Sequence, residues 1–100
     1  MTGGLGFIGS SLVDYLIDND IEVIVIDDLS TGKESHRNSL AQYIPISVSA
    51  LSPGKSLCGM FDNDLDWIFH LAARTSVLES IEDPKLYKEN NVLGLLNVLC

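Results

Sequence analysis

Apolar positions change their spacing several times along the chain, and each change marks a new element. From Phe7 to Asp18 they fall at Ile8, Leu12 and Leu16, with Val13 and Ile17 alongside and Ser10, Ser11, Asp14 and Asp18 opposite. That is the stripe of an amphipathic helix. Asn19 and Asp20 are suited to end it, since Asn tolerates the left-handed backbone used at helix ends. Ile21-Glu22-Val23-Ile24-Val25-Ile26 is then β-branched and almost continuously apolar, as expected of a parallel strand covered on both faces. Leu29-Ser30-Thr31-Gly32-Lys33 reads as a loop containing a glycine free to take positive φ. The segment from Glu34 to Gln42 is polar, and its basic cluster of Lys33, His36 and Arg37 reads as a solvated face.

Ile44-Pro45-Ile46-Ser47-Val48-Ser49 alternates like a short third strand, with Pro45 confining it to a strand start or an edge. Ser52-Pro53-Gly54 reads as a turn, and the stretch from Ser56 to Asp64 as a short helix. Asp66 to Ala73 reads as a fourth strand that runs into small residues. Small side chains at the carboxyl end of a parallel strand leave room for a ligand, where open α/β sheets bind theirs. Asp83-Pro84 starts a helix, with Asp as N-cap and Pro in the first helical position. It should run through Leu86, Leu93, Leu96 and Leu99 to the chain end. Asn90, Asn91 and Gly94 interrupt it, all poor helix formers. An asparagine there either bonds outward or serves a site.

The strongest chemical signal is Thr2-Gly3-Gly4-Leu5-Gly6-Phe7-Ile8-Gly9, with glycines spaced Gly3-x-x-Gly6-x-x-Gly9. In a dinucleotide-binding turn, Gly3 makes the tight turn, Gly6 admits the pyrophosphate to the backbone, and Gly9 lets the helix lie close to the sheet. Free N–H groups and the positive end of the helix dipole then face the phosphates. Asp27 stands at the end of the second strand, 18 residues after Gly9, where such folds place the acid that grips the adenosine ribose. A carboxylate there repels a 2′-phosphate, Asp28 adds a second charge and Lys33 is the nearest base, so NAD is favoured over NADP. A glycine turn without a ligand and a solvated strand end are the plain alternatives.

Composition narrows the picture further. A net charge of −8 argues against nucleic acid or an anionic membrane as partner, since both select basic patches. No apolar run approaches the ~18 residues of a membrane span, and no charged-then-apolar leader is present. Cys58 and Cys100 lack metal-ligand spacing and read as packing residues in a reducing compartment, so the expected location is cytoplasmic and no metal is expected. His70 on an apolar strand reads as a packing residue rather than a base. Arg74 either reaches a phosphate or pairs with one of the many carboxylates.

Taken together, Thr2 to Ser10, Asp27 to Gly32, His70-Leu71-Ala72-Ala73 and Asn91-Val92-Leu93-Gly94 stand in a fixed order. The chain resembles the extended short-chain dehydrogenase/reductases, specifically the NAD-dependent epimerase/dehydratase family and its UDP-glucose 4-epimerase branch. The resemblance covers all 100 residues. It implies an α/β fold, a Rossmann-like doubly wound parallel sheet, with residues 1–100 as a partial NAD-binding domain. Gly3, Gly6, Phe7, Ile8 and Gly9 would sit over the pyrophosphate. Asp27 would hold the ribose, and Asp28, Ser30, Thr31 and Gly32 the adenine side. Leu71, Ala72, Ala73 and Arg74 would border the cofactor's middle and nicotinamide half, with Asn91 bonding nearby.

The resemblance also implies a nucleotide-sugar substrate, most of all a UDP-hexose, and allows for a homodimer. In the family a tyrosine removes a hydroxyl proton while NAD takes the C4 hydride, and the keto sugar is re-reduced from its other face. A 4,6-dehydratase, a decarboxylase, a carbonyl reductase or a non-catalytic NAD-binding module are the alternatives. Three departures stand out. Ser47-Val48-Ser49-Ala50 carries no carboxylate where the family has one after its third strand. Leu95 follows Gly94 where Thr is usual, and Asp28 replaces the more frequent Asn. Tyr15, Tyr43 and Tyr87 are followed four positions on by Asn19, Ser47 and Asn91, so no Tyr-x-x-x-Lys set is present and no catalytic residue is assigned. The expectation is a fragment that lacks the first strand and the carboxyl-terminal half.

Overall fold

The computed structural model describes residues 1–51, 57–61 and 64–99. They form two compact units, Met1–Ile46 with Ile68–Ala72, and Ser47–Trp67 with Ala73–Cys100.

In the first unit, helix α1 spans Phe7–Asp18 and strand β1 spans Ile24–Ile26. Strand β2 spans Gln42–Ile44 and pairs in parallel with β1. Thr2 forms parallel bridges to Ile26 on one side and His70 on the other. The order across the sheet is therefore β2, β1, Thr2, His70. In chain order that is third, second, first, fourth, the order of a doubly wound sheet with its switch point beside the first strand. Very little chain holds the central place. Thr2 donates to the Phe69 carbonyl at 2.9 Å and accepts from Leu71 N–H at 3.1 Å, while Gly3 N–H donates to the Ile26 carbonyl at 2.9 Å.

The strands are shorter than the apolar runs suggest, for identifiable reasons. At the end of α1, Ile21 N–H bonds the Leu16 carbonyl and Asp20 N–H the Ile17 carbonyl, with Asp20 at φ 59°. This is a Schellman ending; it draws Ile21 into the helix terminus, so only Ile24–Ile26 of the run pairs. The third strand lies over Gln42–Ile44 rather than 44–49, because Pro45 has no N–H to continue the ladder. Val48–Ala50 forms a 3₁₀ turn instead, with the Ser47 side chain accepting from Ser49 N–H. The expected fourth strand contributes a single bridge at His70.

Val13 and Leu16 of α1 pack with Val23 and Val25, flanked by Met1, Leu12, Ile17, Ala41 and Tyr43. Each fully buried side chain of this size contributes about 1.5–3 kcal/mol of transfer free energy. The buried face of α1 is Gly9, Val13 and Leu16, whereas Ile8, expected in the stripe, is exposed.

In the second unit, α2 covers Leu57–Met60, within the helix expected over 56–64, and the turn expected at 52–54 lies outside the described residues. Helix α3 (Val77–Glu82) is capped by the Ser76 side chain. Helix α4 (Pro84–Lys88) starts as expected, with the Asp83 carboxylate accepting from Leu86 N–H at 3.0 Å. The helix is not regular to the end: Glu89–Leu93 is a π-helical turn, and α5 covers Gly94–Leu99. Val98 is buried, and Asn97 Nδ2 donates to the Val48 carbonyl at 3.0 Å. Among the described residues no helix is long and apolar enough to cross a membrane.

Candidate functional site

Three glycines of the first unit do different jobs. Gly3 turns the chain out of the sheet at φ +71°, and a Cβ there would lie 2.6 Å from Ala72 N. A Cβ on Gly9 would stand 2.0 Å from the Gly3 carbonyl oxygen, so close approach of α1 requires its absence. Gly6 is unlike both. Its backbone, at φ −74° and ψ 177°, suits any residue, and the nearest atom to its Cβ would be the Gly3 oxygen at 3.4 Å. Packing within the protein does not demand glycine at this position. An opening toward an external group does explain it.

Gly6 is also the N-cap of α1, which has neither a side-chain cap bond nor an acidic residue in its first turn. The opening N–H groups of a twelve-residue helix are left for solvent or a ligand, at the positive end of its dipole. Phe7 and Ile8 beside them are 86% and 68% exposed. Such an end suits a phosphate.

Asp27 leaves β1 facing this turn. Its Oδ2 accepts from Leu5 N–H and its Oδ1 from Leu29 N–H, both at 2.9 Å. Each oxygen retains acceptor capacity, so an anchored carboxylate is presented with room for further donors. Leu29 reaches its place through φ 60°, and Asp28 Oδ1 accepts from Ser30 N–H at 2.9 Å. Gly32 closes the loop against the turn. A Cβ on it would stand 2.8 Å from Leu5 Cβ and 3.1 Å from Asp27 Oδ1. Ser30 and Thr31 are exposed at the loop tip.

The His70 side of the sheet is tied to Thr2. The Thr2 hydroxyl is wholly buried, accepts from Ala72 N–H at 3.2 Å and lies 2.7 Å from His70 Nδ1. Burial lowers the His70 pKa below its ordinary value and favours the neutral ring. Leu71 is exposed beside it, and Ala72 lies against Gly3.

In the second unit, Asn91 holds the main chain of Arg74 at both groups. Its Oδ1 accepts from Arg74 N–H and its Nδ2 donates to the Arg74 carbonyl, each at 2.9 Å. Asn90, 9% exposed, donates to Asn91 Oδ1 at 3.0 Å. The two asparagines thus sit in the π-turn, and Asn91 bonds outward from it to the Arg74 main chain. The Arg74 guanidinium pairs with Glu79 at 3.3 Å, and Tyr87 donates its phenol to the same carboxylate at 2.7 Å. Desolvation first, then the bond to Glu79 and its charge, raise the Tyr87 pKa, against a lowering by Ser76. Of the two readings of Arg74, the structure shows the carboxylate pair. Ala73 is exposed.

Among the described residues, no group of three or more His, Cys, Asp or Glu could hold a metal ion. The structure thus brings Gly3, Gly6, Gly9, Asp27 and Gly32 together in the first unit, and Arg74 with Asn91 in the second.

The model of the NAD dependent epimerase/dehydratase family matches residues 1–100. The chain belongs to this family. It is similar to the UDP-glucose 4-epimerase of Thermotoga maritima, solved with UDP-glucose, at 38% identity and TM-score 0.88 over 98% of the chain and 31% of that protein. It is similar to the UDP-glucose 4-epimerase of Thermus thermophilus, solved with NAD, at 36% identity and TM-score 0.85, again over 98% of the chain and 31% of that protein. The UDP-glucose 4-epimerase of Streptococcus mutans serotype c is 35% identical over 100 residues, which are 97% of this chain and 29% of the relative. The family member described here therefore spans about a third of the length of the relatives it matches.

Lys33 and Arg37 are exposed, as expected of a solvated face, whereas His36 of this family member is half-buried. Lys33 N–H and His36 Nδ1 both bond the Leu5 carbonyl, at 3.0 and 2.9 Å, while Arg37 pairs with Glu34 and lies 4.5 Å from the centre of the Tyr43 ring. No spacing rule points to these contacts, because the loop returns to the turn from 31 residues away.

Proposed function

We propose that this chain forms the NAD-binding part of a nucleotide-sugar epimerase of the UDP-glucose 4-epimerase type. The observation that carries the reading is an uncapped α1 N-terminus over a glycine that packing does not require, joined through Leu5 to an anchored Asp27. In this reading Gly3, Gly6, Phe7, Ile8 and Gly9 receive the pyrophosphate, and Asp27 accepts from the adenosine ribose hydroxyls. Asp28, Ser30, Thr31 and Gly32 line the adenine side. From the family resemblance the proposal extends to Leu71, Ala72, Ala73, Arg74 and Asn91. NAD supplies reversible oxidation of a sugar carbon when bound. The residues of this chain bind and orient it, and Asp27 excludes a 2′-phosphate.

The substrate of the whole protein is then a UDP-hexose, and its location the cytoplasm, without nucleic acid or membrane as partner. The −8 charge supports the latter. Calorimetric titration with NAD and NADP, followed by conversion of UDP-glucose, tests the reading. NAD should bind at least tenfold more tightly than NADP, and UDP-galactose should form. Equal binding of the two cofactors overturns the role of Asp27, and absence of NAD binding overturns the whole.

A further inference from the structure

Leu5 is the one residue of the glycine run that is both fully buried and bonded at each of its peptide groups to the loop after β1. It is 1% exposed. Its N–H donates to Asp27 Oδ2 at 2.9 Å, and its carbonyl accepts from Lys33 N–H at 3.0 Å. The second lone pair of that carbonyl meets His36 Nδ1 at 2.9 Å. A carbonyl oxygen only accepts, so Nδ1 carries the proton. Since the Leu5 carbonyl precedes Gly6 N, the ring of His36 holds the peptide plane from which the first turn of α1 is reached.

His36 is itself fixed. Its N–H bonds the Lys33 carbonyl at 2.9 Å within the 3₁₀ turn Glu34–His36. The next residue, Arg37, is held by Glu34 and by the Tyr43 ring, and Asn38 N–H donates to the Tyr43 hydroxyl at 2.9 Å. The segment that carries the ring is thus anchored to β2 through Arg37 and Asn38, and the ring itself to the glycine turn.

We infer that His36 is a positioning residue for the cofactor: it locks the pyrophosphate turn and the Asp27 carboxylate into one rigid unit through the Leu5 carbonyl. The inference rests on the NAD-binding reading above. His36 touches no reacting atom and acts only through Leu5. Its contribution is pre-organisation, since a ligand that spans both groups otherwise has to order them itself.

The test uses the whole protein, with NAD titrated at a temperature where every variant is fully folded. His36→Ala should weaken NAD about tenfold. His36→Asn, whose amide nitrogen is carried on Cγ as Nδ1 is in the ring and can replace that donor, should stay within about threefold of the wild type. Amide exchange without ligand should accelerate at Leu5 and Lys33 in His36→Ala and stay unchanged at Val13 in α1. Imidazole ¹⁵N shifts of the wild type should show a protonated Nδ1. Wild-type affinity in His36→Ala, equal loss in both variants, or an unprotonated Nδ1 overturns the inference while leaving the NAD reading intact. Failure of the wild type to bind NAD brings down the reading, and the inference with it.

Discussion

Gly6 and Gly9 look alike in the sequence and should behave oppositely when each is replaced by alanine. At Gly6 the new methyl would meet only the Gly3 oxygen, at an ordinary 3.4 Å, on a backbone that alanine adopts freely. Loss of glycine's freedom in the unfolded chain favours the variant by about 0.4–1 kcal/mol. Alanine is a poorer N-cap than glycine by a similar amount, so the unliganded protein should melt within a few degrees of the wild type. The same methyl stands at the open N-terminus of α1, where the account places a pyrophosphate. A hundredfold loss of NAD affinity, about 2.7 kcal/mol, is expected. With NAD at a hundred times the wild-type Kd, the ligand stabilises the wild type by about 2.7 kcal/mol, and the variant by only about 0.4 kcal/mol. At Gly9 the methyl would stand 2.0 Å from a main-chain oxygen that no rotamer change can move, so Gly9→Ala should fail to fold or melt far lower. Melting curves with and without NAD decide it. A Gly6→Ala protein that keeps the full NAD shift would refute the assignment of the open side, and one that melts like Gly9→Ala would refute the packing argument.

Acid stability should report on His70. Burial lowers its folded pKa below the unfolded value near 6.5, so the unfolded chain binds its proton more tightly. The resulting stability is full above about pH 6.5 and is lost as pH falls through the folded pKa. Thermal melts between pH 8 and pH 5 should show this loss, and His70→Gln should flatten it; an unaltered profile in the variant would contradict the placement of the ring. Asn91→Ala removes both bonds to the Arg74 main chain and should cost about 1–3 kcal/mol in denaturant unfolding. Asn91→Asp keeps the acceptor but sets an anionic oxygen against the Arg74 carbonyl, so it should cost at least as much as the alanine variant.

The parts of this molecule that were legible in the sequence are those whose chemistry is local. The glycine spacing, the acid at the end of β1, and the Asp83-Pro84 helix start each depend on neighbours within a turn or a single strand. Strand lengths were not legible, because the ladder ends where Asp20 takes φ 59° and where Pro45 lacks a donor, whatever the apolar run suggests. Helix α3 carried a readable signal in Ser76-x-x-Glu79, the sequence of a capping box. Val77, Leu78 and Ile81 add the spacing of one helix face, although all three are exposed in the structure. The Thr2–His70 and Leu5–His36 contacts span 68 and 31 residues, and only the assembled sheet brings them together.

The most direct measurement of the central claim is titration of the ¹⁵N-labelled protein with NAD, following the amides of Phe7, Ile8 and Leu29. The account predicts that all three shift together and saturably with NAD, and that the same concentration of NADP leaves them largely unmoved. Shifts confined to other residues, or an equal response to both cofactors, would contradict it.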